Sequence, residues 1–204
     1  MIRVAGLDLS TRSAGVARLT VDDDGEPATW TGTLGYDLDE TATLVERWLR
    51  LEAIASEVDE HVADDTDLVV VEGPALNSTR PQRGRFDLWG GWWLVADRLL
   101  SPTRQRRGHA LAIVTPSQRA MYATGNGRAA KPAVVEAVRR HYGDRFDIPR
   151  GAASTAAGDI ADAVVLVALG ARALGHPIDD PSPLHLRALD RVLSARITDI
   201  EKSN

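Results

Sequence analysis

The chain alternates short apolar runs with longer stretches in which apolar residues recur every three or four positions. Two apolar runs flank the polar turn at residues 10–13 and predict a β-hairpin, and the Thr-rich segment 28–35 predicts a third strand at the edge of a sheet. Helical spacing over residues 39–63 predicts a long amphipathic helix. The continuous apolar run 67–72 predicts a strand that is buried on both faces.

The second half continues this alternation and indicates an α/β protein. Its predicted elements, in chain order, are a helix at 86–100, a strand at 110–115, a short helix at 116–122, a basic helix at 131–142, an Ala/Val/Leu-rich helix at 159–174 and a C-terminal helix at 183–197. The last helix is expected to pack on the core or on a partner. With 204 residues, no internal repeat and no long linker, residues 1–204 are expected to form a single domain.

The composition limits the classes of site that are possible. The absence of cysteine excludes disulfides and thiolate metal sites and is typical of an intracellular protein. The five histidines lack ligand spacing, so a histidine-built zinc site is not expected. No apolar run approaches the roughly 20 residues of a membrane helix, and the amino terminus lacks a signal-peptide pattern. We therefore expect a cytoplasmic protein that has no membrane partner.

The charges are distributed unevenly along a chain whose net charge is −5. Residues 1–77 hold 5 basic and 17 acidic side chains, whereas residues 78–150 hold 14 basic and 5 acidic ones. A positive segment inside an acidic protein favours contact with a phosphate backbone, although it is also compatible with a charged surface that has no partner.

Two acids interrupt or end apolar runs. Asp8 lies within the first predicted strand, where Asp is disfavoured, and Glu72 ends the buried strand 67–72. Ligands of α/β sheets bind beyond the carboxyl ends of such strands. For Asp8 alone, a simpler interpretation is an acid that caps the following turn.

Asp159 and Asp162 are three residues apart, so on a helix they share one face about one turn apart. A helix N-cap explains Asp159 but leaves Asp162 inside an apolar helix. Two neighbouring buried carboxylates repel each other unless a cation neutralises them. With Asp8 and Glu72 they form a set of oxygen ligands of the kind that Mg²⁺ or Mn²⁺ prefers. Two such ions, roughly 4 Å apart, promote phosphodiester hydrolysis, which is nuclease chemistry.

At four places in order the residues resemble the RuvC-type Holliday junction resolvases of the ribonuclease H-like superfamily. The segments are Gly6–Gly15, Val69–Glu72, Thr115–Pro116 with Thr124–Val134, and Asp159–Ala163. The resemblance implies a mixed five-stranded sheet flanked by helices, a homodimer, and paired nicks in four-way DNA. It implies two Mg²⁺ ions per active site, with Mn²⁺ as a substitute, held by Asp8, Glu72, Asp159 and Asp162.

Lys131 is expected to stabilise charge on the scissile phosphate. Of the 24 basic residues 22 are arginines, and the only other lysine is Lys202, so Lys131 stands out in a chain that otherwise uses arginine. A compact ammonium suits close approach to a phosphate, although chance placement of one lysine is the simpler alternative. The predicted contacts with the DNA backbone are Arg80, Arg83, Arg85, Arg106, Arg107, Arg128 and Lys131.

The resolvases often have an aromatic wedge shortly after the glutamate that corresponds to Glu72, and this chain does not. Leu76 and Phe86 are the nearest large apolar residues. The group Trp89, Trp92 and Trp93 has helical spacing, which favours packing in the core or between subunits over base stacking.

Three alternatives remain open at this point. A related nuclease could prefer flaps or RNA–DNA hybrids, and a protein of this fold could bind junctions without cutting them. Sugar kinases and actin-like phosphotransferases also begin with a Gly-x-Asp-x-Ser/Thr turn, but they need a second lobe for which 204 residues leave little room.

Overall fold

A computed structural model describes residues 1–25, 27–62, 65–74, 85–100, 110–150 and 155–189. These residues form one mixed sheet of five strands in the spatial order β3-β2-β1-β4-β5. The strands β1, β2 and β3 are antiparallel neighbours, whereas β4 and β5 run parallel to β1. Their bounds are Ile2–Leu9 for β1, Ala14–Val21 for β2, Pro27–Leu34 for β3, Leu68–Glu72 for β4 and Ala110–Val114 for β5.

Helices cover both faces of the sheet. Their bounds are Leu44–His61 for α1, Arg85–Leu100 for α2, Pro116–Thr124 for α3, Lys131–Tyr142 for α4, Thr155–Ala173 for α5 and Pro183–Leu186 for α6. The core has two parts. One lies between the sheet and α5 with its neighbours α3 and α4, and the other lies between the sheet and the pair α1 and α2. The predicted α/β architecture, including β3 as an edge strand, is confirmed.

The helix α5 lies unusually close to β1 and β2. A methyl group on Gly6 would overlap the backbone carbonyl of Ala163, and one on Gly15 would overlap that of Asp159. Most α5 side chains between Ala157 and Ala171 are fully buried. The two glycines therefore allow the backbone of α5 to rest on the strands, which fixes the depth of its side chains relative to β1.

Two predicted helix starts were wrong. The helix α1 begins at Leu44, not at residue 39, because Thr43 and Glu46 form a reciprocal capping box that sets the first turn. The helix α5 begins at Thr155, four residues before the predicted start. Asp159 is therefore inside the helix, and the interpretation of Asp159 as an N-cap was wrong.

The predicted C-terminal helix over 183–197 was also wrong in its described part. The helix α6 ends at Leu186 and a turn follows. Ala188 and Leu189 are buried against the core beside α3, while residues 190–197 lie outside the described part of the chain. Among the helices that the structure describes, none is long and apolar enough to cross a membrane.

Candidate active site

Strand alternation points Asp8 and Glu72 toward the same helix layer. Val4 and Val70 belong to the core beneath α5, whereas Ala5 and Val69 face α1 and α2. Asp8 in β1 and Glu72 in β4 lie at even spacing from Val4 and Val70, so their side chains are on the α5 face. The parallel register pairs Leu7 with Val71, which puts the two acids side by side at the carboxyl ends of β1 and β4.

Asp159 and Asp162 face the carboxyl ends of these two strands from α5. Each is only 2% exposed, and Asp8 is 8% exposed, so all three carboxylates are shielded from bulk water. The hydroxyl of Ser13, in the turn between β1 and β2, donates to Asp159 Oδ2 at 2.8 Å. Asp8, Glu72, Asp159 and Asp162 together are called the acid cluster below.

Lys131 joins three members of the acid cluster. Its Nζ lies 2.7 Å from Asp159 Oδ1, 3.4 Å from Asp162 Oδ2 and 3.9 Å from Asp8 Oδ2. Lys131 is the first residue of α4, and its side chain remains 47% exposed. It therefore connects the buried acids to solvent, where a phosphate could approach. The predicted site residues Asp8, Glu72, Asp159, Asp162 and Lys131 are thus brought to one place, while their chemical roles stay predictions.

Arg119 was missed by the sequence reasoning. It lies on α3, where its guanidinium donates from Nε to Glu72 and from Nη1 to Asp162. Its side chain is only 12% exposed. The structure brings it there because α3 follows directly after β5, and Val114 at the end of β5 pairs with Glu72. Among many arginines, however, nothing in the local sequence distinguishes this one.

Burial and mutual repulsion make ionisation of the acid cluster unfavourable. Burial, followed by repulsion from the Asp162 carboxylate, raises the pKa of Asp8 to about 7. The positive charge of Lys131 lowers the pKa of Asp8 but offsets only part of this increase. Burial, followed by repulsion from Asp8, raises the pKa of Glu72 to about 7. Burial raises the pKa of Asp162 to about 6 against the opposing Arg119 and Lys131. Four ionised carboxylates beside two cations leave a net charge of −2, which favours further positive charge.

The donor set suits a divalent cation, but its present arrangement is not a ready metal cage. The oxygens belong to carboxylates, which hard cations such as Mg²⁺ prefer. Yet among the described residues no three Asp, Glu or His side chains converge in a way that could hold a metal ion. Instead, the side chains of Arg119 and Lys131 contact Glu72, Asp159 and Asp162.

The predicted DNA contacts are only partly within the described chain. Arg128 is exposed in the loop that leads into Lys131. Arg85 is the first residue of α2, and its side chain lies outside the description, as do Arg80, Arg83, Arg106 and Arg107. Leu76, the nearest candidate for a wedge, is outside it too, whereas Phe86 is 92% exposed.

The tryptophan helix α2 has a mixed environment. Trp92 is buried, and its indole Nε1–H donates to the backbone carbonyl of Glu72 at 3.2 Å. Trp93 packs edge-on against Trp92 but is 58% exposed. Core packing is therefore confirmed for Trp92, and Trp93 is left on the surface.

Comparison with solved structures shows what the fold resembles. The Thermus thermophilus RuvC structure matches with a TM-score of 0.57 and 20% identity, over 86% of this chain and 98% of that chain. This chain has the fold of that RuvC structure. A T. thermophilus RuvC complex with a Holliday junction substrate matches at TM-score 0.54 and 19% identity, over 82% of this chain and 91% of that one.

A more distant structure has the same fold. The yeast mitochondrial Holliday junction resolvase Ydc2 matches with a TM-score of 0.54 and 10% identity, over 100% of this chain and 85% of that chain. No protein-family model and no curated protein matches the sequence. The expected mixed five-stranded sheet flanked by helices is therefore confirmed, and these solved structures share its fold.

Proposed function

We propose that this protein is a divalent-metal-dependent endonuclease that resolves four-way or otherwise branched DNA. The observation that supports the proposal most is the acid cluster itself. Four carboxylates from β1, β4 and α5 lie together at the carboxyl ends of β1 and β4, and Lys131 contacts them from the solvent side. The chain shares its fold with solved resolvases, one of them in complex with a Holliday junction substrate.

Asp8, Glu72, Asp159 and Asp162 are proposed to hold two Mg²⁺ ions, with Mn²⁺ as a substitute. Bound there, the ions would supply activation of a water and stabilisation of the leaving oxygen of a phosphodiester. The residues of the chain do the rest. Ser13 orients Asp159 through its hydroxyl, and burial shields the carboxylates of Asp8, Asp159 and Asp162 from bulk water. Lys131 brings a positive charge to the solvent side, where the phosphate enters.

The DNA backbone is proposed to follow the basic middle of the chain. Arg128 is exposed three residues before Lys131, which supports its proposed role as a phosphate contact. Arg80, Arg83, Arg85, Arg106 and Arg107 belong to the same basic segment and keep their predicted role. A DNA substrate also fits the cytoplasmic location expected from the sequence.

A homodimer is proposed because α1 and α2 expose large apolar side chains. On α1, Leu44, Val45, Trp48 and Leu49 share one helix face and are between 49% and 70% exposed. Trp93 on the neighbouring α2 is 58% exposed. Exposed apolar surface of this kind marks interaction sites. Two copies joined through this layer would supply the two active sites that paired nicks require.

The direct test is cleavage of a synthetic four-way junction in Mg²⁺ by the full chain. Cleavage is expected for the wild type and is expected to be lost in Asp8→Asn and Asp162→Asn, which stay close in shape while removing a negative charge. A matched control is Asp180→Asn, an exposed acid away from the cluster, which should cut normally. Undiminished cleavage by Asp8→Asn would contradict the proposed mechanism.

A panel of substrates separates the alternatives. Preference for flaps or RNA–DNA hybrids over the junction would assign a related nuclease of other specificity. Tight junction binding without cleavage in Mg²⁺ or Mn²⁺ would assign a non-catalytic junction-binding protein.

A further inference from the structure

We propose that Arg119 is an internal counter-cation that competes with divalent cations for Glu72 and Asp162. This inference rests on the metal-dependent function proposed above. It assigns a role to the one cation of the site that extends from α3, and that role is to set how readily the acid cluster takes up metal.

The placement of the guanidinium is the first argument. Arg119 donates to Glu72 through Nε and to Asp162 through Nη1, so it bridges carboxylates from β4 and α5. The planar, permanently charged guanidinium can hold two acids at once in a way that a single ammonium does not. It therefore lies where a cation shared by Glu72 and Asp162 would have to bind.

The second argument is that most carboxylate oxygens of the acid cluster already contact a protein donor. Both oxygens of Asp162 face protein cations, with Oδ1 on Arg119 and Oδ2 3.4 Å from Lys131 Nζ. Both oxygens of Asp159 are also engaged, Oδ1 by Lys131 and Oδ2 by the Ser13 hydroxyl. With Glu72 Oε2 on Arg119 and Asp8 Oδ2 3.9 Å from Lys131 Nζ, six of the eight oxygens of the acid cluster lie within 4 Å of a protein donor. A metal ion that needs these oxygens must exchange with a side chain.

The charge balance gives the third argument. Arg119 and Lys131 together neutralise only half of the four carboxylates when all are ionised. Breaking the Arg119 contacts without replacement would leave Glu72 and Asp162 buried and unpaired, which is strongly unfavourable. A divalent cation offers twice the charge of the guanidinium that it displaces. Exchange of Arg119 for a divalent cation therefore does not leave Glu72 and Asp162 unpaired. The fraction of molecules in which this exchange has occurred depends on the metal concentration.

The experiment measures equilibrium metal binding by the full chain without DNA. Mn²⁺ binding is followed by calorimetry, and Tb³⁺ binding by luminescence sensitised by Trp92, whose indole touches the Glu72 backbone. Arg119→Gln is expected to bind Mn²⁺ at least about tenfold more tightly than wild type, because a competing unit charge has been removed at contact distance. Its Tm in chelator should be lower than that of wild type, and Mn²⁺ should raise that Tm by more.

Two further variants define the comparison. Arg140→Gln removes one positive charge from an exposed pair with Glu136 and should leave Mn²⁺ affinity unchanged. Arg119→Lys keeps the charge but cannot bridge both acids, so its Mn²⁺ affinity should lie between those of wild type and Arg119→Gln. If Arg119→Gln does not fold, Arg119→Lys carries the same test.

The outcomes distinguish this inference from the proposed function. Equal Mn²⁺ affinity in wild type and the foldable Arg119 variants, with only a lower Tm in chelator, would reduce Arg119 to a structural ion pair and overturn the inference alone. If neither wild type nor variants bind Mn²⁺ or Tb³⁺, the metal-dependent function is overturned together with it.

Discussion

Gly15 of β2 lies directly beneath the backbone carbonyl of Asp159 in α5, with no room for a side chain between them. The contact matters because Asp159 belongs to the acid cluster, and its depth is set by how closely α5 approaches the strands. Gly6 makes the equivalent approach one strand away, beneath Ala163. Small residues on β1 and β2 thus determine the geometry of a site on the facing helix.

Replacing Gly15 by Ala should disturb the site. The added methyl group must push α5 away from β2, which costs about 1–3 kcal/mol by the usual scale of overpacking. We expect a lower free energy of unfolding and a loss of junction cleavage, measured by urea denaturation and a cleavage assay.

Gly90→Ala is the matched control. Gly90 is exposed on α2, and a methyl group there would meet only Leu51 at ordinary contact distance. Alanine favours a helix by up to about 1 kcal/mol over glycine, so this variant should be equally or more stable. Wild-type cleavage by Gly15→Ala would show that the depth of α5 does not control the site.

Replacing Lys131 by Arg should impair cleavage while preserving the charge. A methyl group on Gly158 would overlap the Lys131 stem, so the channel for this side chain is narrow and a broad guanidinium would not reach Asp159 in the same way. We expect cleavage to fall by roughly 10²-fold, the scale seen for loss of one electrostatic donor, with little change in junction binding.

The control for Lys131 is Arg140→Lys on the same helix. Arg140 is exposed and pairs only loosely with Glu136 at 3.7 Å, so exchange of its head group should not alter cleavage. A Lys131→Arg enzyme that cuts at the wild-type rate would remove the argument that a compact ammonium is needed.

The raised pKa values predict an unusual dependence of stability on pH. Asp8 and Glu72 have a pKa raised to about 7 in the folded state, and Asp162 to about 6, whereas in the unfolded chain all three titrate near pH 4. Between these limits the folded state binds more protons than the unfolded state, so stability falls as pH rises from about 4 to about 7 and then levels off.

Denaturation in chelator at about pH 5.5 and about pH 8 measures this effect. The metal-free protein should be less stable at the higher pH, and Asp8→Asn should show a smaller difference. Divalent cations should stabilise the protein more at about pH 8, because ligand carboxylates must first lose their protons. A metal-free protein that gains stability over this interval would contradict the proposed repulsion within the cluster.

Charged substitutions on α1 and α2 should disrupt the proposed dimer. Trp48→Glu and Trp93→Glu replace tryptophans that are more than half exposed by a carboxylate. The protomer should therefore fold normally. We expect sedimentation to show a dimer for the wild type and a monomer for the double variant. The monomer should nick a junction without pairing the two nicks.

Leu184→Glu is the matched control for this experiment, since Leu184 is 46% exposed on α6, outside the α1 and α2 layer. It should sediment like the wild type. A double variant that remains dimeric would place the subunit interface elsewhere on the protein.

The sequence by itself determined the order of the elements and most members of the site. Period-two and helical spacing predicted the strands and helices because these patterns follow directly from backbone geometry. Asp8, Glu72 and Asp162 were identified because a carboxylate in an apolar run is physically conspicuous. The helix starts were less well predicted. The capping box at Thr43 sets the start of α1, and α5 includes small residues before Asp159 that a broad periodicity does not assign to a helix.

Only the tertiary structure decided which charges meet. Arg119 is one of 22 arginines and has no local feature that sets it apart, yet the parallel pairing of β4 with β5 brings α3 across Glu72 and Asp162. Ser13 reaches Asp159 across 146 positions of chain. Contacts of this kind depend on how distant elements pack, and a pattern along the chain holds no information about them. The sequence therefore predicted the acids of the site, and the fold supplied the cation that lies between two of them.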